Sequence, residues 1–356
     1  GIGKDVNLPI LQTILFTATK NGLVLRATNL DIAVQCLVRG KVEKEGHISL
    51  DAKTILEYVS FLPKEKVDIE LIKDNQISIT CGNYSTKFRG VNADDFPLLP
   101  LHTKENVCIF SIGDFRDALS QTLFTIQNNE TRPELSGVYC HIQSGEQEVI
   151  LVGTDAYRLS ESRCPVREKV NFSHSVIIPL KTLQELSRIL QYSVSGSLEM
   201  SIAEHQVVFF LDDIEMYSRR IQGNYPDYQA IIPASFSTEC VFEREECINA
   251  LKAASLFSRN GLSDVKLTIQ GKDNTRGTLL VYASNTTLGE NSTALDCEVR
   301  GGDNEIVVNY RYLLDALQVL KDERGSLKLI DISSPCLVGA TSLQKGFRHV
   351  IMPIRQ

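Results

Sequence analysis

Three basic residues occupy matching positions in three similar stretches of the chain, and their chemistry suits binding to phosphate groups. Lys53, Lys181 and Arg311 each open a helix-like stretch, and successive members are 128 and 130 residues apart. Cations that recur in this way can neutralise nucleic-acid phosphates, which are bound without regard to base sequence. Lysine and arginine also solvate exposed helix faces, so the repeat that carries them decides how they are interpreted.

Residues that could form a catalytic or metal site are otherwise sparse. The six histidines and nine cysteines are scattered, without metal-ligand spacing and without a C-x-x-C pair. The chain has no phosphate-loop, dinucleotide, zinc-hydrolase or nucleophile-elbow motif. A hydrolase or transferase that uses Asp155, Tyr157 and Arg158 stays open as an alternative. The sequence favours a non-enzymatic protein with no metal and no cofactor.

Composition limits the class of protein further. The chain has 356 residues, a formal net charge of −7, 43% hydrophobic and 23% charged residues, as expected of an ordinary globular protein. No run approaches the roughly 20 apolar residues that span a bilayer, and no signal peptide opens the chain, so a membrane protein is excluded. Scattered single cysteines suit a reducing compartment, which predicts a cytoplasmic location. The acidic balance still allows one basic surface.

Three markers recur with a period of about 130 residues, which is the strongest signal in the sequence. The helix-like stretches are the first marker. The second is a small residue followed by Thr or Ser and then Asn or Asp, with third residues spaced by 126 and 130. The third is an aromatic-Pro pair, with Phe96 and Tyr225 129 residues apart. The sequence therefore predicts three domains, at 1–103, 104–235 and 236–356.

Each domain is predicted to contain two βαβββ halves. In the second domain, apolar spacing predicts a helix over 114–126 and another over 180–191, each preceded by one strand and followed by three. Short connections predict antiparallel sheets with helices on one side, which is an α+β fold. The first domain aligns with the second only from Leu8 onward. We therefore expect it to be N-terminally incomplete, by roughly 20 residues on the pattern of the repeat.

Several motifs closely resemble those of the bacterial DNA polymerase III sliding clamp family, the β subunits that serve as processivity factors in DNA replication. They are Leu8–Leu11, Asp95–Pro97, Gly153–Leu159, Tyr225–Tyr228 and Val350–Arg355. The resemblance covers essentially the whole chain. It implies a DNA-clamp fold and a head-to-tail homodimer that closes a ring, with antiparallel sheets outside and helices lining the hole.

The resemblance also implies partners. Double-stranded DNA passes through the ring and is held topologically. The replicative DNA polymerase, the clamp loader, repair polymerases, ligase and mismatch-repair proteins bind through a short linear motif of Gln-x-x-Leu-Phe character. The groove for that motif lies between the second and third domains. The matching residues are Leu135, Thr154, Tyr157, Arg158, Leu159, Pro226, Ile231, Ile332, Ser334, Val350, Met352, Pro353, Ile354 and Arg355.

Two further residue sets follow from the resemblance. The DNA-facing set is Lys53, Arg132, Lys181 and Arg311. The dimer-interface set pairs an edge strand with Tyr84, Thr86 and Phe88 against Leu256 and Phe257 of the third domain.

The chain departs from the family pattern at a few positions. Ala156 stands where Gly is usual, Tyr157 where His is usual, Ala230 where Arg is common, and Gln356 where the family ends in Leu. These differences predict a groove with altered detail, including a different turn at Ala156, because Ala tolerates a positive φ poorly. An alternative to the ring is a clamp-fold scaffold that binds partners without encircling DNA.

Overall fold

A computed structural model of the chain describes residues 8–73, 75–99, 102–193, 196–259, 261–272, 275–341 and 346–355. These form two compact units. Unit 1 contains the described residues up to 109 together with 196–220, and unit 2 contains 110–193 together with the rest from 221 onward. Residues 1–7, on which the expectation of an incomplete first domain depends, lie outside the described residues, as do Leu101 of the predicted connector and the terminal Gln356.

The described residues form 23 strands and five α-helices. The first predicted domain contains β1 Thr13–Thr19, β2 Gly22–Thr28, β3 Ile32–Val38, β4 Gly46–Asp51, α1 Ala52–Ser60, β5 Val67–Lys73, β6 Gln76–Cys81 and β7 Tyr84–Arg89. The second contains β8 Val107–Ser111, α2 Ile112–Thr122, β9 Gly137–Ile142, β10 Glu148–Thr154, β11 Arg158–Pro165, β12 His174–Pro179, α3 Leu180–Gln191, β13 Ser197–Ile202, β14 Gln206–Leu211 and β15 Ile214–Arg219. The third contains β16 Thr238–Glu243, α4 Arg244–Ser255, β17 Asp264–Gly271, β18 Arg276–Asn285, β19 Gly289–Gly301, β20 Asn304–Asn309, α5 Tyr310–Val319, β21 Arg324–Leu329, β22 Cys336–Ala340 and β23 Phe347–Ile351.

The element order confirms two βαβββ halves in the second and third stretches, and the strand pairings are antiparallel. The predicted α+β clamp fold is therefore confirmed. The predicted helix over 114–126 is wrong at both ends. It starts at Ile112, and after Thr122 the chain tightens into a 3-10 turn over Leu123–Thr125. The Thr122 hydroxyl donates to the carbonyl of Ala118, which competes with continued helix at this point.

Sheets in each unit join strands from consecutive predicted domains, which the sequence did not indicate. In unit 1 an eight-stranded sheet has the order β4-β1-β2-β3-β15-β14-β13-β8, and β5-β6-β7 form a separate sheet. In unit 2 a twelve-stranded sheet has the order β12-β9-β10-β11-β23-β22-β21-β16-β19-β18-β17-β20. We call the β3·β15 pairing the first junction and the β11·β23 pairing the second junction. Each junction lies within a single unit.

The helices begin at side-chain caps or basic residues and pack through one apolar face. Asp51 caps α1 by accepting from the Thr54 amide at 2.8 Å, and Asn309 caps α5 by accepting from the Arg311 amide at 2.9 Å. In α3, Leu183, Leu186 and Leu190 follow 3.6-residue periodicity and are buried. All nine cysteines carry free thiols, and eight of them are buried as small apolar side chains. Among the described helices, none is both long and apolar enough to cross a membrane.

Candidate functional site

A tight turn between β10 and β11 forms one edge of the second junction. The Asp155 carboxylate accepts from the backbone amides of Tyr157 and Arg158, both at 3.0 Å. The Thr154 hydroxyl donates to the Arg158 carbonyl at 2.7 Å and accepts from the Ala156 amide at 3.1 Å. These four bonds hold Ala156 at φ +75°. The left-handed turn therefore forms around Ala156, and the expected change of turn at this residue is wrong.

Arg158 lies behind this turn and is almost completely buried. Its side chain is 7% exposed and contacts Asp155 at 3.1 Å and Asp315 at 2.6 Å. It also donates to the Phe124 carbonyl at 2.8 Å, and its guanidinium lies 4.4 Å from the ring centre of Tyr312. All of these partners belong to unit 2. Because Asp155 is itself only 5% exposed, neither group is available to a substrate, which weighs against the hydrolase alternative.

Two more polar pairs cross the second junction. Ser160 lies opposite His349, and their hydroxyl oxygen and Nδ1 are 2.7 Å apart. Glu161, 1% exposed, lies opposite Arg348 and accepts from its guanidinium. Burial, with Arg158 nearby, lowers the pKa of His349 to about 3, so this imidazole is neutral at pH 7. The junction is thus a buried and fully committed polar framework, and it gives the surface above it a fixed shape.

The predicted groove residues fall into two layers. Leu135, Thr154, Arg158, Leu159 and Val350 are buried and form the supporting layer. The surface layer is exposed or half-buried and consists of Tyr157, Pro226, Ile231, Ile332, Ser334, Met352, Pro353, Ile354 and Arg355. Four apolar members of this surface layer expose between 39% and 66% of their area: Tyr157, Ile231, Ile332 and Met352. Exposed apolar side chains above a rigid base are suited to binding apolar side chains of a peptide.

Backbone contacts bring part of the surface layer together. The Met352 amide donates to the Tyr157 carbonyl at 2.9 Å, which places these two side chains at the same end of the second junction. The Ile354 amide donates to the Val307 carbonyl at 2.8 Å and ties the C-terminal stretch to β20. On the β21–β22 loop, Asp331 accepts from the amides of Ser333 and Ser334, both at 2.8 Å. These bonds lower the pKa of Asp331 and fix the loop next to Ile332.

An aromatic cluster lies beside the junction. Tyr139 stacks on Tyr225 with ring centres 4.7 Å apart, and Tyr228 packs against Leu159 and Val350 in one apolar cluster. Burial raises the pKa of both Tyr225 and Tyr228. The sequence offered Tyr225–Tyr228 as a motif only. Its structural role could not be read there, because Tyr139 is 86 residues away.

The predicted DNA-facing residues are exposed, and three share one local position. Lys53, Lys181 and Arg311 are the second residues of α1, α3 and α5. Lys53 and Lys181 form no ion pair with any described residue, whereas the Arg311 guanidinium contacts the Tyr310 hydroxyl at 3.3 Å. Arg132 differs, since it pairs with Glu134 at 3.2 Å in the loop after α2.

The predicted dimer-interface residues lie at sheet edges. Tyr84, Thr86 and Phe88 are on β7, which pairs only with β6 among the described strands. Phe88 packs edge-on against Tyr58 of α1 at 5.3 Å, and Tyr84 is 48% exposed. In unit 2, Leu256 is 68% exposed just after α4, and Phe257 is half-buried against the apolar core.

Sequence reasoning missed several residues that support the groove. They are Phe124, Ser160, Glu161, Tyr312, Asp315 and His349. The contact between Arg158 and Asp315 joins residues 157 positions apart, so no local spacing announces it. The only available signal was the turn motif itself, in which an Asp three residues before an Arg can accept from it.

Comparison with known proteins identifies the family. Sequence profiles of the DNA polymerase III beta subunit match over residues 2–100 for the N-terminal domain, 111–227 for the central domain and 229–355 for the C-terminal domain. The beta sliding clamp of Streptococcus pneumoniae TIGR4 is 28% identical, with 98% of this chain and 92% of that protein covered. The beta sliding clamp of Bacillus subtilis is 27% identical, with 99% and 94% covered.

Solved structures agree with the sequence profiles. The crystal structure of the DNA polymerase sliding clamp from Bacillus subtilis superposes with a TM-score of 0.92 at 26% identity, covering 100% of this chain and 94% of that one. The beta subunit from Thermotoga maritima gives a TM-score of 0.90 at 22% identity and supports the fold alone. With three profiles spanning nearly the whole chain and the clamp fold in place, this chain belongs to the DNA polymerase III beta subunit family.

Proposed function

We propose that this chain is a non-enzymatic DNA sliding clamp, a homodimer that encircles duplex DNA and tethers the replicative polymerase. The profile matches along all three domains are the observation that carries this proposal. The buried state of Asp155 and Arg158 also supports a non-catalytic role. The clamp loader, repair polymerases, ligase and mismatch-repair proteins are proposed as further partners, and a cytoplasmic location stays a prediction.

The surface layer at the second junction is proposed as the partner-binding groove. A peptide with two or three apolar anchors would bury them against Tyr157, Met352 and Ile332, and each anchor contributes about 1.5–3 kcal/mol before ordering costs. Met352 adapts its shape to different ligands. Weak binding of this kind lets several partners exchange on one clamp. Arg158 then acts by positioning the turn that carries Tyr157, without touching the peptide.

The groove can be tested by titrating a fluorescently labelled Gln-Leu-Asp-Leu-Phe peptide with the full chain. We expect saturable binding in the micromolar range. A Tyr157→Ala, Met352→Ala variant should bind at least ten-fold more weakly, because both side chains are exposed and contribute surface rather than fold. Its thermal midpoint should match that of the unsubstituted chain.

Tyr192→Ala provides the matched control, since Tyr192 is 90% exposed at the end of α3 and outside the predicted groove. This control should bind the peptide unchanged. Equal affinity in all three proteins would remove the groove from its predicted place. No binding by any of them would show that this peptide is not the ligand of the clamp.

The helix-opening cations support the DNA-facing assignment on electrostatic grounds. The N-terminus of a helix carries partial positive charge, so Lys53, Lys181 and Arg311 stand where a cation is locally unfavourable. An unfavourable charge that recurs at one position in α1, α3 and α5 is accounted for by an external anion, and phosphate is the anion that duplex DNA presents.

Charge reversal tests this assignment. A Lys53→Glu, Lys181→Glu variant should bind primed DNA more weakly. Its dependence of log affinity on log salt should be less steep by about 2 per subunit, at roughly 0.9 per lost phosphate contact. Lys20→Glu with Lys169→Glu changes net charge equally at exposed positions outside the helices and should leave the slope unchanged. Equal slopes in both variants would contradict the assignment.

The dimer interface can be specified from the two junctions inside the chain. Cys36 and Ser162 face the first residues of β15 and β23, Ile214 and Phe347. Each stands three residues after the residue that closes its hairpin, opposite the middle residue of the repeated small-Thr/Ser-Asn/Asp marker. The closing residues are Ala33, Leu159 and, for the β18–β19 hairpin, Glu290.

The same count defines a third pairing, between β7 of one subunit and β19 of its partner. It places Tyr84 opposite Thr293 and Lys87 opposite Glu290. The edge of β19 is free to accept this strand, because β16 covers β19 only from Cys297 to Gly301. Lys87 and Glu290 both point to the exposed face, so the register brings opposite charges together on one side of the sheet.

Disulfide trapping tests the register. Ser85→Cys with Ser292→Cys places the two new thiols directly opposite each other, where antiparallel Cα atoms lie about 4.5–5.5 Å apart, within disulfide reach. We expect a covalent dimer on a non-reducing gel. Ser85→Cys with Asn291→Cys shifts one residue to the other face and should not cross-link. Monomers in both cases would favour the scaffold that does not encircle DNA.

A further inference from the structure

One face of the first domain is apolar and uncovered by the described residues. It combines the free edge of β5, which pairs only with β6 among the described strands, and the neighbouring side of α1. Between 42% and 72% of each contributing side chain is exposed. They are Leu56, Val59, Phe61, Val67, Ile69 and Leu71.

These β5 side chains point toward the core side of their sheet. Ile69 lies opposite Ile79, and Leu71 lies opposite Ile77. Ile77 and Ile79 are 1% and 2% exposed, and both pack in the core with Ile55 of α1. Cross-strand neighbours share a face, so the β5 residues extend this core to its edge. A side chain pattern that faces a core and yet stays exposed indicates a missing neighbour.

The repeat shows what covers the same positions elsewhere. In the third domain, Leu327 and Leu329 of β21 match Ile69 and Leu71, and they are 1% and 0% exposed. The free edge of β5 corresponds to the β21 edge that β16 occupies, and α4 packs beside α5. Leu317 of α5, 0% exposed, holds the position of Val59, which is 53% exposed.

The second domain agrees with the third. Leu198, Met200 and Ile202 of β13 match Val67, Ile69 and Leu71, and each is 0% exposed. The apolar character of these positions is thus common to all three domains. Only in the first is it left uncovered by the described part of the chain.

We propose that the free edge of β5 and the exposed face of α1 bind a strand–helix polypeptide segment of the kind formed by β16 and α4. Its strand pairs antiparallel with β5, and its helix packs beside α1 through an apolar face. This proposal does not depend on DNA binding or on the groove.

Charge specifies the segment further. On β21, Lys328 points to the side of the sheet away from the core and pairs with Glu239 of β16 at 3.0 Å. Glu70 of β5 holds the position of Lys328. The charge at this position is therefore reversed, and the segment that pairs with β5 carries Lys or Arg where β16 carries Glu239.

The probe is a peptide copy of residues 106–123, which contain β8 and α2, with Val107→Lys. Val107 corresponds to Glu239, since β8 and β16 each end one residue before their helix. Added to the full chain, this peptide should slow hydrogen exchange of the β5 amides at least ten-fold. A Val107→Glu peptide should bind more weakly, and a Phe110→Asp peptide should not bind, because Phe110 is a core residue of its own domain.

A tethered version covers the case of weak binding in solution. The same peptide is joined to the N-terminus of the chain by a Gly/Ser linker, which raises its effective concentration to the millimolar range. Protection of β5 by the Val107→Lys tether and not by the Phe110→Asp tether supports the proposal. Absence of protection in both formats overturns it. Protection that appears without peptide and grows with protein concentration would assign the surface to a second copy and would also overturn it.

Discussion

At the first junction the residue that follows the hairpin turn is Ile32, whereas at the second junction the matching residue is Arg158. Both residues are buried, at 4% and 7% exposure. Ile32 needs no polar partner. Arg158 is held by Asp155, Asp315 and the Phe124 carbonyl.

The backbone at the two junctions is nevertheless the same. Leu30 and Ala156 both adopt φ +75°. Asn29 accepts from the amide of Ile32 at 2.8 Å, as Asp155 does from that of Arg158 at 3.0 Å. The difference shows that local side-chain caps set the turn, while the residue after it is free to be apolar or ionic. Only the second junction invests in an ionic framework, and that junction supports the predicted groove.

The largest expected effect comes from making the second junction resemble the first. Arg158→Ile leaves Asp155 buried without its cation and should lower the free energy of unfolding of the chain by about 3 kcal/mol in urea titrations. Adding Asp155→Asn and Asp315→Asn should recover part of this loss, because the orphaned charges are removed. Ile32→Val at the first junction should cost only about 1 kcal/mol. Comparable losses from Arg158→Ile and Ile32→Val would show that the framework is not needed.

The next effect concerns pH. His349 has a pKa of about 3 in the folded chain and about 6.5 when unfolded, so the unfolded state takes up a proton first as pH falls. The resulting stability is present above pH 6.5 and is lost as pH drops toward 3, at about 1.4 kcal/mol per pH unit.

The first junction supplies the control for this pH effect, because Val34 and Met216 occupy the positions of Ser160 and His349. A Ser160→Val, His349→Met variant should lose this part of the pH dependence while keeping the fold. Thermal unfolding between pH 7 and pH 5 would measure it. An unchanged slope in the variant would place the dependence on other groups.

The smallest effect concerns the turns. Ala156→Gly and Leu30→Gly each remove a side chain from a left-handed residue, which should stabilise the chain by at most about 1 kcal/mol, and by similar amounts. Thermal midpoints would measure this change. Opposite signs at the two positions would show that the turns are not equivalent.

The repeat allowed much of the fold to be predicted from the sequence. Its three markers predicted the βαβββ order, and apolar alternation placed β10 and β14 at their observed limits. The merging of sheets across predicted domains was not predicted, because β3 and β15 are each complete strands by local pattern. Nothing in either strand names its partner about 180 residues away.

The site was predicted less completely than the fold. The motif from Gly153 to Leu159 located the turn and Tyr157, and its resemblance located the exposed Met352. It did not distinguish the exposed layer from the buried layer, since Leu159 and Met352 are both apolar in sequence. The Ser160–His349 pair depends on the register of β11 against β23, which no local pattern contains.

The long separation across the second junction has a consequence during synthesis of the chain. The edge of β11 waits for β23, which emerges about 185 residues later. At roughly 5–20 residues per second this takes on the order of ten seconds or more. An unpaired edge is open to wrong partners in that interval, and charged residues protect it. Glu161 and Arg163 lie on this waiting edge. The nascent chain thus carries its own safeguard against aggregation at the strand that later supports the groove.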